Sequence, residues 1–331
     1  MKALVYTNPK QLNYQDEPMP TIKEDEELVR IDAVGICGSD MHAYLGHDER
    51  RVAPLILGHE AAGIVEEGSM KGQQVIINPL VTCGSCSACI SGRSNICKKR
   101  EIISMAPRQG AFAQYVSMPT KNLIPVPDNM DISKAALAEP IATGWHAVIV
   151  ALKALQKPIP QCKALVIGGG AVGLATALSL NAKGCKDIFL SETNQSRRDT
   201  VDKENICKSF SPIDNDIVDD SSIDIVIDCV GSKITRAFAS QKVTPGGVFA
   251  HVGLSDNLDG LDIRKFTLQE IVFCGVYTYT YEDFKDAVDA MSNGALGELS
   301  WYEERPLSQG NNAFKDLLEG KVSSAKIILR P

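Results

Sequence analysis

Residues 163–182 read KALVIGGGAVGLATALSLNA, and this stretch decides how the second half of the chain folds. A short apolar run ends at Ile167, three glycines follow, and an Ala- and Leu-rich segment begins at Ala171. This order predicts a buried strand, a tight turn and a helix. Glycines allow the backbone of such a turn to approach a ligand closely, and the first amides of the helix favour an anion.

The same turn carries the Gly-x-Gly-x-x-Gly spacing of a dinucleotide-binding site. Its candidate contact residues are Gly168, Gly170, Val172 and Gly173. Nineteen positions after the last of these glycines stands Glu192, at the predicted end of the next strand. In such a unit the backbone amides meet the pyrophosphate, and the acid accepts hydrogen bonds from the adenosine ribose while repelling a 2′-phosphate. We therefore predict NAD as the cofactor.

Two arginines close to Glu192 leave NADP open as the alternative. Arg197 and Arg198 could bind a 2′-phosphate, or could lie on a solvated helix face, which is the commoner position of Arg near a helix start. We include Arg197 among the candidate cofactor residues. NADP is the less favoured cofactor because the carboxylate of Glu192 repels the extra phosphate.

Strands alternate with helices after Cys162, which predicts a parallel sheet of the doubly wound α/β class. Two later apolar strands cover Ile223–Val230 and Gly247–Val252. Ligands of such sheets bind outside the carboxyl ends of the strands. These ends therefore add candidate cofactor residues: Val230, Gly231, Val252, Gly253 and Leu254.

The first part of the chain has a different pattern. Up to about Lys121, short Val- and Ile-rich runs are separated by Gly, Pro, Asn and Asp, which predicts a unit rich in strands and loops. A helix is predicted from an N-cap at Ser133 to Leu155, with a kink at Pro140. After Tyr281 the pattern predicts two amphipathic helices and a terminal strand.

The composition is that of a folded globular protein. The 331 residues are 44% hydrophobic and 23% charged, and the length suggests two domains. The 41 acidic residues exceed the 34 lysines and arginines, and no long basic run offsets the net charge of −7. We therefore expect neither nucleic acid nor a membrane as a partner. Because the first residues lack a secretory signal pattern, the expected location is the cytoplasm.

Four of the ten cysteines lie within fifteen residues: Cys83, Cys86, Cys89 and Cys97. Two-residue gaps allow consecutive sulfurs to converge on one ion, and tetrahedral Zn²⁺ is the usual occupant of four thiolates. Such a site is closed to substrate, so we predict a structural zinc that stabilises a loop. Disulfides or an iron–sulfur cluster are the less favoured alternatives. Five further cysteines lie in or beside apolar segments and receive no chemical role: Cys162, Cys185, Cys207, Cys229 and Cys274.

A second metal position is suggested by Cys37 and by the pair His59–Glu60, about twenty residues further on. Thiolate, imidazole and carboxylate are the donors that zinc takes at catalytic sites. Taken alone, this spacing is weak, because a single His beside a Glu is more often a loop residue satisfied by hydrogen bonds.

Several motifs together resemble the zinc-dependent medium-chain alcohol dehydrogenases. They follow one another over nearly the whole chain, in the order seen in that family: Cys37–His42, Gly58–Glu60, the four-cysteine lobe, Gly110–Tyr115 and Glu139–Pro140. The pair Glu139–Pro140 stands where the ethanol-type enzymes typically carry a cysteine ligand. The chain is therefore most similar to the polyol and threonine branch, which includes sorbitol and galactitol-phosphate dehydrogenases.

This resemblance implies a fold and a division into domains. A GroES-like, strand-rich catalytic domain would be formed from both chain ends, residues 1–142 and 278–331, with the structural zinc lobe at residues 83–97. A Rossmann dinucleotide-binding domain would occupy residues 143–277. Members of the family are commonly homodimers or homotetramers, and the predicted sheet edge at Ile271–Tyr277 is a candidate contact between copies.

The resemblance also implies the ligands of a second, catalytic zinc. Cys37 and His59 would bind the metal directly. Glu60 and Glu139 would either bind it or hold its water, and which of the two coordinates at rest is left open. These donors leave a position for an alcohol oxygen, which becomes more acidic and turns into a carbonyl as hydride leaves.

Further roles follow from the same resemblance. Ser39 would take the released proton, and His42 would be the next step to solvent. Thr143 would lie behind the nicotinamide, whose other face the later strand ends would flank.

The substrate is expected to be a small polyol or alcohol, oxidised at a secondary alcohol or formed from the matching ketone. Tyr44 and His47 lie in a loop that the resemblance places over the substrate mouth, and both could bind hydroxyl groups. A phosphorylated or acidic substrate would instead suit Arg50 or Arg51. The alternatives are an aldehyde dehydrogenase of the glutathione-independent formaldehyde type and a non-enzymatic, redox-sensing nucleotide-binding module.

Overall fold

The computed structural model describes residues 1–214, 216–256 and 258–331, which divide into two compact units. The first unit comprises Met1–Glu139, Thr280–Ser292 and Leu299–Pro331, and the second comprises Pro140–Tyr279 and Asn293–Glu298. The boundaries predicted at 142/143 and 277/278 lie within three residues of the observed ones. The sequence did not predict that residues 293–298 belong to the second unit.

The strands of the described residues are, in chain order, β1 (Lys2–Asn8), β2 (Gln11–Asp16), β3 (Glu26–Gly35), β4 (Leu55–Ile56), β5 (Glu60–Glu67), β6 (Gln74–Ile77), β7 (Leu80–Val81), β8 (Glu101–Ile102), β9 (Tyr115–Pro119), β10 (Leu123–Pro125), β11 (Lys163–Ile167), β12 (Asp187–Ser191), β13 (Lys208–Phe210), β14 (Ile223–Asp228), β15 (Val243–His251), β16 (Val272–Gly275), β17 (Tyr302–Pro306) and β18 (Lys326–Arg330).

The α-helices of the described residues are α1 (Gly38–Tyr44), α2 (Ser87–Ile90), α3 (Ile132–Ala135), α4 (Ala138–Ala154), α5 (Ala171–Ala182), α6 (Gln195–Lys203), α7 (Lys233–Lys242), α8 (Ile263–Leu268), α9 (Tyr281–Ser292) and α10 (Gly310–Leu318). Short 3₁₀ turns cover Ser94–Ile96, Thr120–Asn122, Ile159–Gln161 and Leu307–Gln309. None of these helices has both the length and the apolar character needed to cross a bilayer.

The sheet that carries the candidate metal ligands joins both ends of the chain. Its strand order is β10-β6-β5-β3-β18-β17, and β9 also pairs with β3. Gly35 of β3 lies opposite both Glu60 of β5 and Ile328 of β18. This confirms the expectation of a strand-rich unit built from both chain ends. The buried faces of these strands form one core with β1, α1 and α10.

The second unit is a parallel sheet of order β13-β12-β11-β14-β15-β16. From β11 the chain continues to β12 and β13 on one side of the sheet. It then returns to the other side of β11 and adds β14, β15 and β16 in that order. This is the doubly wound order in which a dinucleotide binds where the direction reverses, between β11 and β14. The prediction of a Rossmann-type sheet is confirmed.

One helix prediction is wrong. The sequence predicted a single helix from an N-cap at Ser133, with a kink at Pro140. The structure has two helices instead, and Asp131 caps α3 by accepting a hydrogen bond from the backbone N–H of Ser133. Pro140 is the third residue of α4, and a proline causes no kink there because first-turn N–H groups have no acceptor within the helix.

Candidate active site and metal centres

The four-cysteine lobe brings its sulfurs together. Adjacent Sγ atoms are 3.5 Å apart for Cys97 and Cys83, 3.6 Å for Cys86 and Cys89, 3.8 Å for Cys86 and Cys97, and 4.0 Å for Cys83 and Cys89. Four thiolates about 2.3 Å from a tetrahedral zinc would be about 3.8 Å from one another. The arrangement fits one zinc ion held by all four residues.

The thiols of this lobe differ from one another in pKa, since burial and the contact with Cys86 raise the pKa of Cys89 to about 11. Hydrogen bonds from the backbone N–H groups of Ser85 and Cys86 lower the pKa of Cys83 to about 5, so this ligand is a thiolate at neutral pH. By contrast, burial raises the pKa of Cys207 and of Cys229 to about 12. Such thiols stay protonated at neutral pH.

Replacing Cys86 by serine is expected to remove one zinc ion per chain and to loosen residues 83–97. A zinc-bound Cys₄ site supplies local folding energy, which the variant loses. Metal analysis combined with limited proteolysis checks this result. A variant that keeps all the zinc of the parent protein would contradict the assignment.

The second candidate centre is formed by Cys37, His59 and Glu60, whose donor atoms all lie within 4.8 Å of one another. Local structure explains this convergence. Cys37 is the N-cap of α1, two residues after the end of β3, and Glu60 is the first residue of the neighbouring strand β5. His59 is 6% exposed and Glu60 is fully buried. The three predicted donors therefore meet in the interior of the first unit.

Asp40 positions two of these ligands, and the sequence reasoning assigned it no role. Its Oδ2 accepts a hydrogen bond from the backbone N–H of Cys37 at 3.0 Å. Its Oδ1 accepts one from the N–H of Gly58 at 3.3 Å and lies 3.4 Å from Nδ1 of His59. A carboxylate on Nδ1 leaves Nε2 as the metal-binding nitrogen. The only sequence signal was the place of Asp40 inside the Cys37–His42 motif.

The charges around His59 favour a cation. Burial alone would lower the pKa of its imidazole, but the negative charges of Asp40 and Cys37 outweigh burial and raise this pKa well above its usual value. An environment that stabilises an added proton so strongly also stabilises a divalent cation.

Lys326, from the other end of the chain, contacts Glu60. Its Nζ donates hydrogen bonds to Glu60 Oε1 at 2.7 Å and to the carbonyl oxygen of Ile36 at 2.9 Å. Nζ is also 2.6 Å from Glu60 Oε2, but the angles there do not allow a hydrogen bond. Oε2 is thus a buried oxygen that accepts no hydrogen bond from the described residues, which fits a carboxylate available to a metal. A Cβ at Gly35 would overlap with Oε2, so glycine makes room for this group.

The other residues predicted around this metal have different positions. Ser39 lies in α1, with Oγ 3.5 Å from His59 Nε2. His42 is three residues further along the same helix and half-buried. Glu139 is 8% exposed, and its charge contributes to the raised pKa of Lys326. The group of converging donors does not include Glu139.

The prediction that Tyr44 binds substrate is wrong. Tyr44 is the last residue of α1 and is 2% exposed, and its ring packs 5.1 Å from the ring of Phe314. The sequence interpretation placed it in a loop over the substrate mouth, whereas the apolar ring completes the core of the first unit. His47, the other predicted substrate residue, is exposed.

The glycine turn of the second unit has the form expected of a pyrophosphate site. Gly168 has φ +99°, a conformation that favours glycine. A Cβ on Gly173 would overlap with the carbonyl oxygen of Gly168, so this glycine allows helix and strand to pack closely. Gly170 caps α5, whose first amides face the turn. The predicted residues fit the phosphates of a dinucleotide.

Glu192 lies next to this turn. Its Oε2 accepts a hydrogen bond from the backbone N–H of Gly169 at 2.8 Å, and its Oε1 accepts one from the N–H of Asn194 at 2.8 Å. Nη1 of Arg197 is 3.9 Å from Oε2. The Arg198 guanidinium instead donates to the carbonyl oxygens of Glu192 and Thr193 and to Gln195.

The ends of the later strands β14 and β15 lie side by side. Asp228, the last residue of β14, accepts hydrogen bonds from the N–H groups of Val230 and Gly231, both at 2.9 Å. A Cβ on Gly231 or on Gly253 would overlap with the backbone of the other glycine. The turn after β15 continues through Val252 and the exposed Leu254. Thr143 lies in α4 and is half-buried.

Known proteins resemble the chain over its whole length. Residues 23–128 match the family model described as the alcohol dehydrogenase GroES-like domain, and residues 171–293 match the one described as zinc-binding dehydrogenase. Sorbitol dehydrogenase of Bacillus subtilis is 30% identical, with 100% of this chain and 97% of that protein covered. L-galactonate-5-dehydrogenase of Escherichia coli is 32% identical, with 89% and 88% covered.

Among solved structures, an Escherichia coli oxidoreductase/dehydrogenase of unknown specificity superposes with a TM-score of 0.89 at 25% identity, covering 99% of this chain and 98% of that one. The converging donors, the glycine turn and these comparisons lead to one conclusion. The chain belongs to the zinc-dependent medium-chain alcohol dehydrogenase family.

Proposed function

We propose that the enzyme oxidises a secondary alcohol of a polyol, or reduces the matching ketone, with NAD(H) as the hydride partner. The observation that carries this proposal is the convergence of Cys37, His59 and Glu60. One thiolate, one imidazole and one carboxylate leave a coordination position for a substrate oxygen, unlike the closed four-cysteine site. Relatives named for sorbitol and L-galactonate support a substrate of the polyol type.

When bound, zinc would polarise the substrate oxygen and NAD would take the hydride. Cys37 and His59 would hold the metal, with Glu60 or Glu139 as the carboxylate. Lys326 restrains Glu60 through the hydrogen bond to Oε1.

Proton transfer begins at Ser39. A lone pair on its Oγ accepts the proton of the alcohol, and the hydroxyl passes its own proton on. His42 is the next group because residues three apart share one face of a helix.

We propose a neutral substrate, because Asp48 binds both arginines that could have recognised a phosphate. Arg50 donates to Asp48 Oδ1 and Oδ2 at 2.8 and 3.0 Å, and Arg51 donates to Oδ2 at 2.7 Å. The position of Arg51, 3% exposed, supports the same conclusion. His47 remains the candidate for binding a substrate hydroxyl.

The proposal is tested by measuring NAD⁺ reduction by the zinc-loaded protein with alditols, inositols, sugar phosphates, threonine, simple alcohols and formaldehyde. Oxidation of an unphosphorylated polyol is expected. Turnover of formaldehyde alone would indicate the aldehyde-oxidising alternative. Nucleotide binding without turnover of any compound, by protein holding two zinc ions per chain, would favour the binding module.

We propose NAD as the preferred cofactor, and replacing Glu192 by glutamine is expected to shift the preference towards NADP. The variant removes the charge that repels a 2′-phosphate and leaves Arg197 free to pair with it. One charged hydrogen bond corresponds to about ten- to hundred-fold in the ratio of kcat/KM for NADP⁺ over NAD⁺.

The matched control is Asp199→Asn, which removes an exposed carboxylate from α6, the helix that carries Arg197; this carboxylate accepts a hydrogen bond from Gln195. The control should leave the cofactor ratio within about twofold. An unchanged ratio in the Glu192→Gln variant would contradict the assignment.

We propose that the enzyme is a homo-oligomer that associates through β16. This strand is at the edge of the parallel sheet, and its side chains Val272 and Phe273 are 40% and 42% exposed. An uncovered edge with apolar side chains is suited to pairing with a second copy. Light scattering should give at least twice the mass of the chain.

We also propose a cytoplasmic location, because thiols that bind zinc need a reducing compartment.

A further inference from the structure

Arg51 is a buried cation next to the zinc ligands, and the mechanism above gives it no role. It is 3% exposed and follows α1 by seven residues. Its burial was not predictable from the sequence, because residues 47–51 have the composition of a charged surface loop. A guanidinium is always protonated and is rarely buried without several partners.

Every donor group of Arg51 is used within the first unit. Nη1 donates to Asp48 Oδ2 at 2.7 Å and to the carbonyl oxygen of Ser39 at 3.2 Å. Nη2 donates to the hydroxyl oxygens of Ser39, at 3.3 Å, and Ser104, at 3.4 Å. Nε donates to the carbonyl oxygen of Ser104 at 3.1 Å. The side chain therefore joins three segments of the chain and has no donor left for a substrate.

Two of these partners touch His59. The hydroxyl of Ser39 is 3.5 Å from Nε2, and the hydroxyl of Ser104 is 3.4 Å from Nδ1. Asp40 already contacts Nδ1 and orients the imidazole ring from that side. The Ser104 hydroxyl therefore adds only a second contact to the same nitrogen. On the Nε2 side, Arg51 is the donor that fixes the Ser39 hydroxyl.

The hydrogen-bond capacity of Ser39 shows what this contact does. A serine hydroxyl has two acceptor lone pairs and one proton to donate. Arg51 occupies one lone pair, so one lone pair remains for a substrate hydroxyl. The serine proton must also point away from the guanidinium. Arg51 thus fixes both the accepting and the donating direction of this group.

We propose that Arg51 is a positioning residue that orients the Ser39 hydroxyl for proton transfer in alcohol oxidation, an inference that rests on the proposed function. In this step the O–H bond of the alcohol breaks and a new O–H bond forms at Ser39 Oγ. The original serine proton leaves towards His42 or water, so Ser39 ends neutral. Arg51 exchanges no proton and acts only through the position and polarity of the serine.

A double-mutant cycle tests whether Arg51 acts through Ser39. The variants are Arg51→Lys, Ser39→Ala and the two combined, assayed with the polyol found to be oxidised. Lysine keeps the charge opposite Asp48 but lacks the fork that reaches Ser39 and Ser104. We expect Arg51→Lys alone to lower kcat about ten- to hundred-fold, with KM changed less than about threefold. In the Ser39→Ala background the same change should cost less than about threefold.

Arg50→Lys is the matched control, since Arg50 pairs with the same carboxylate from an exposed position. It should keep kcat within about twofold of the parent enzyme. The proposal would be overturned if Arg51→Lys lowered kcat by the same factor in the parent enzyme and in the Ser39→Ala background. An unchanged kcat in the Arg51→Lys variant would overturn it as well.

Two readouts do not depend on turnover. In a crystal structure of the Arg51→Lys variant, Ser39 Oγ should leave its place beside His59 Nε2, while the Arg50→Lys variant keeps it. The affinity of the catalytic site for zinc, measured by chelator competition, should change less than about threefold in both variants. A fixed Ser39, or a zinc affinity lowered more than about tenfold, would indicate a structural role for Arg51 instead.

If lysine does not fit in the buried site, the paired variant Asp48→Asn with Arg51→Gln removes both charges together. The same loss of kcat and the same displacement of Ser39 are then expected. Failure of the proposed function can be distinguished from failure of the Arg51 proposal. In the first case the parent enzyme would not oxidise any polyol, whereas the position of Ser39 in the variant crystal structures would still test the role of Arg51.

Discussion

Replacing His59 by alanine is expected to lower the rate of polyol oxidation at least about a thousand-fold. The metal site loses its imidazole, and with it the polarisation of the substrate oxygen, which contributes several kcal/mol to transition-state stabilisation. The zinc content should fall by one ion per chain. Steady-state kinetics and metal analysis of the same preparation measure both effects.

The Cys86→Ser variant is the control for this experiment, because it removes the other zinc ion. If the two sites are independent, each single variant keeps one zinc and the combined variant keeps none. Full zinc content together with more than a tenth of the activity in the His59→Ala variant would refute the assignment of the catalytic ligands.

Replacing Lys326 by methionine is expected to destabilise the first unit by about 3–5 kcal/mol in the absence of metal. The change leaves the fully buried carboxylate of Glu60 without its counter-ion. Burial alone would lower the pKa of Lys326, but the charges of Glu60 and Cys37 outweigh it and raise this pKa, so the ammonium is charged at neutral pH.

The two tryptophans allow this loss to be assigned to one unit. Trp301 belongs to the first unit and Trp145 to the second. In a Trp145→Phe background, the fluorescence of Trp301 during urea unfolding therefore reports on the first unit, and a chelator in the buffer removes the metal. Adding Glu60→Gln to Lys326→Met should recover at least half of the lost stability, because no charge is then buried unpaired. A loss below about 1 kcal/mol would contradict the importance of the Lys326–Glu60 pair for the stability of the first unit.

The sequence predicted the parts of the site that depend on local motifs. Cys37 and His59 each lie in a short motif whose residues also determine the local backbone. The glycine turn before α5 was predictable because strand, turn and helix follow one another directly. The parallel sheet was predictable from the alternation of strands and helices.

Contacts between distant segments could not be predicted from these patterns. Lys326 is 266 residues from Glu60, and only the pairing of β18 with β3 brings the two together. Tyr44 was misassigned because α1 extends further than the motif indicated, which turns the ring into the core. The Arg51 side chain was interpreted as solvent-exposed, because its partner Ser104 lies 53 residues further along the chain.

The pairing of β18 with β3 also sets an order of events during synthesis. Residues 140–279 leave the ribosome before Lys326 is made, so the parallel sheet is complete while the other sheet still lacks its late strands. Until β18 arrives, Glu60 has no ammonium beside it, and the nascent metal pocket carries an excess of negative charge. The first unit therefore cannot be completed before β18 has been synthesised, and this strand carries the ammonium group that pairs with Glu60.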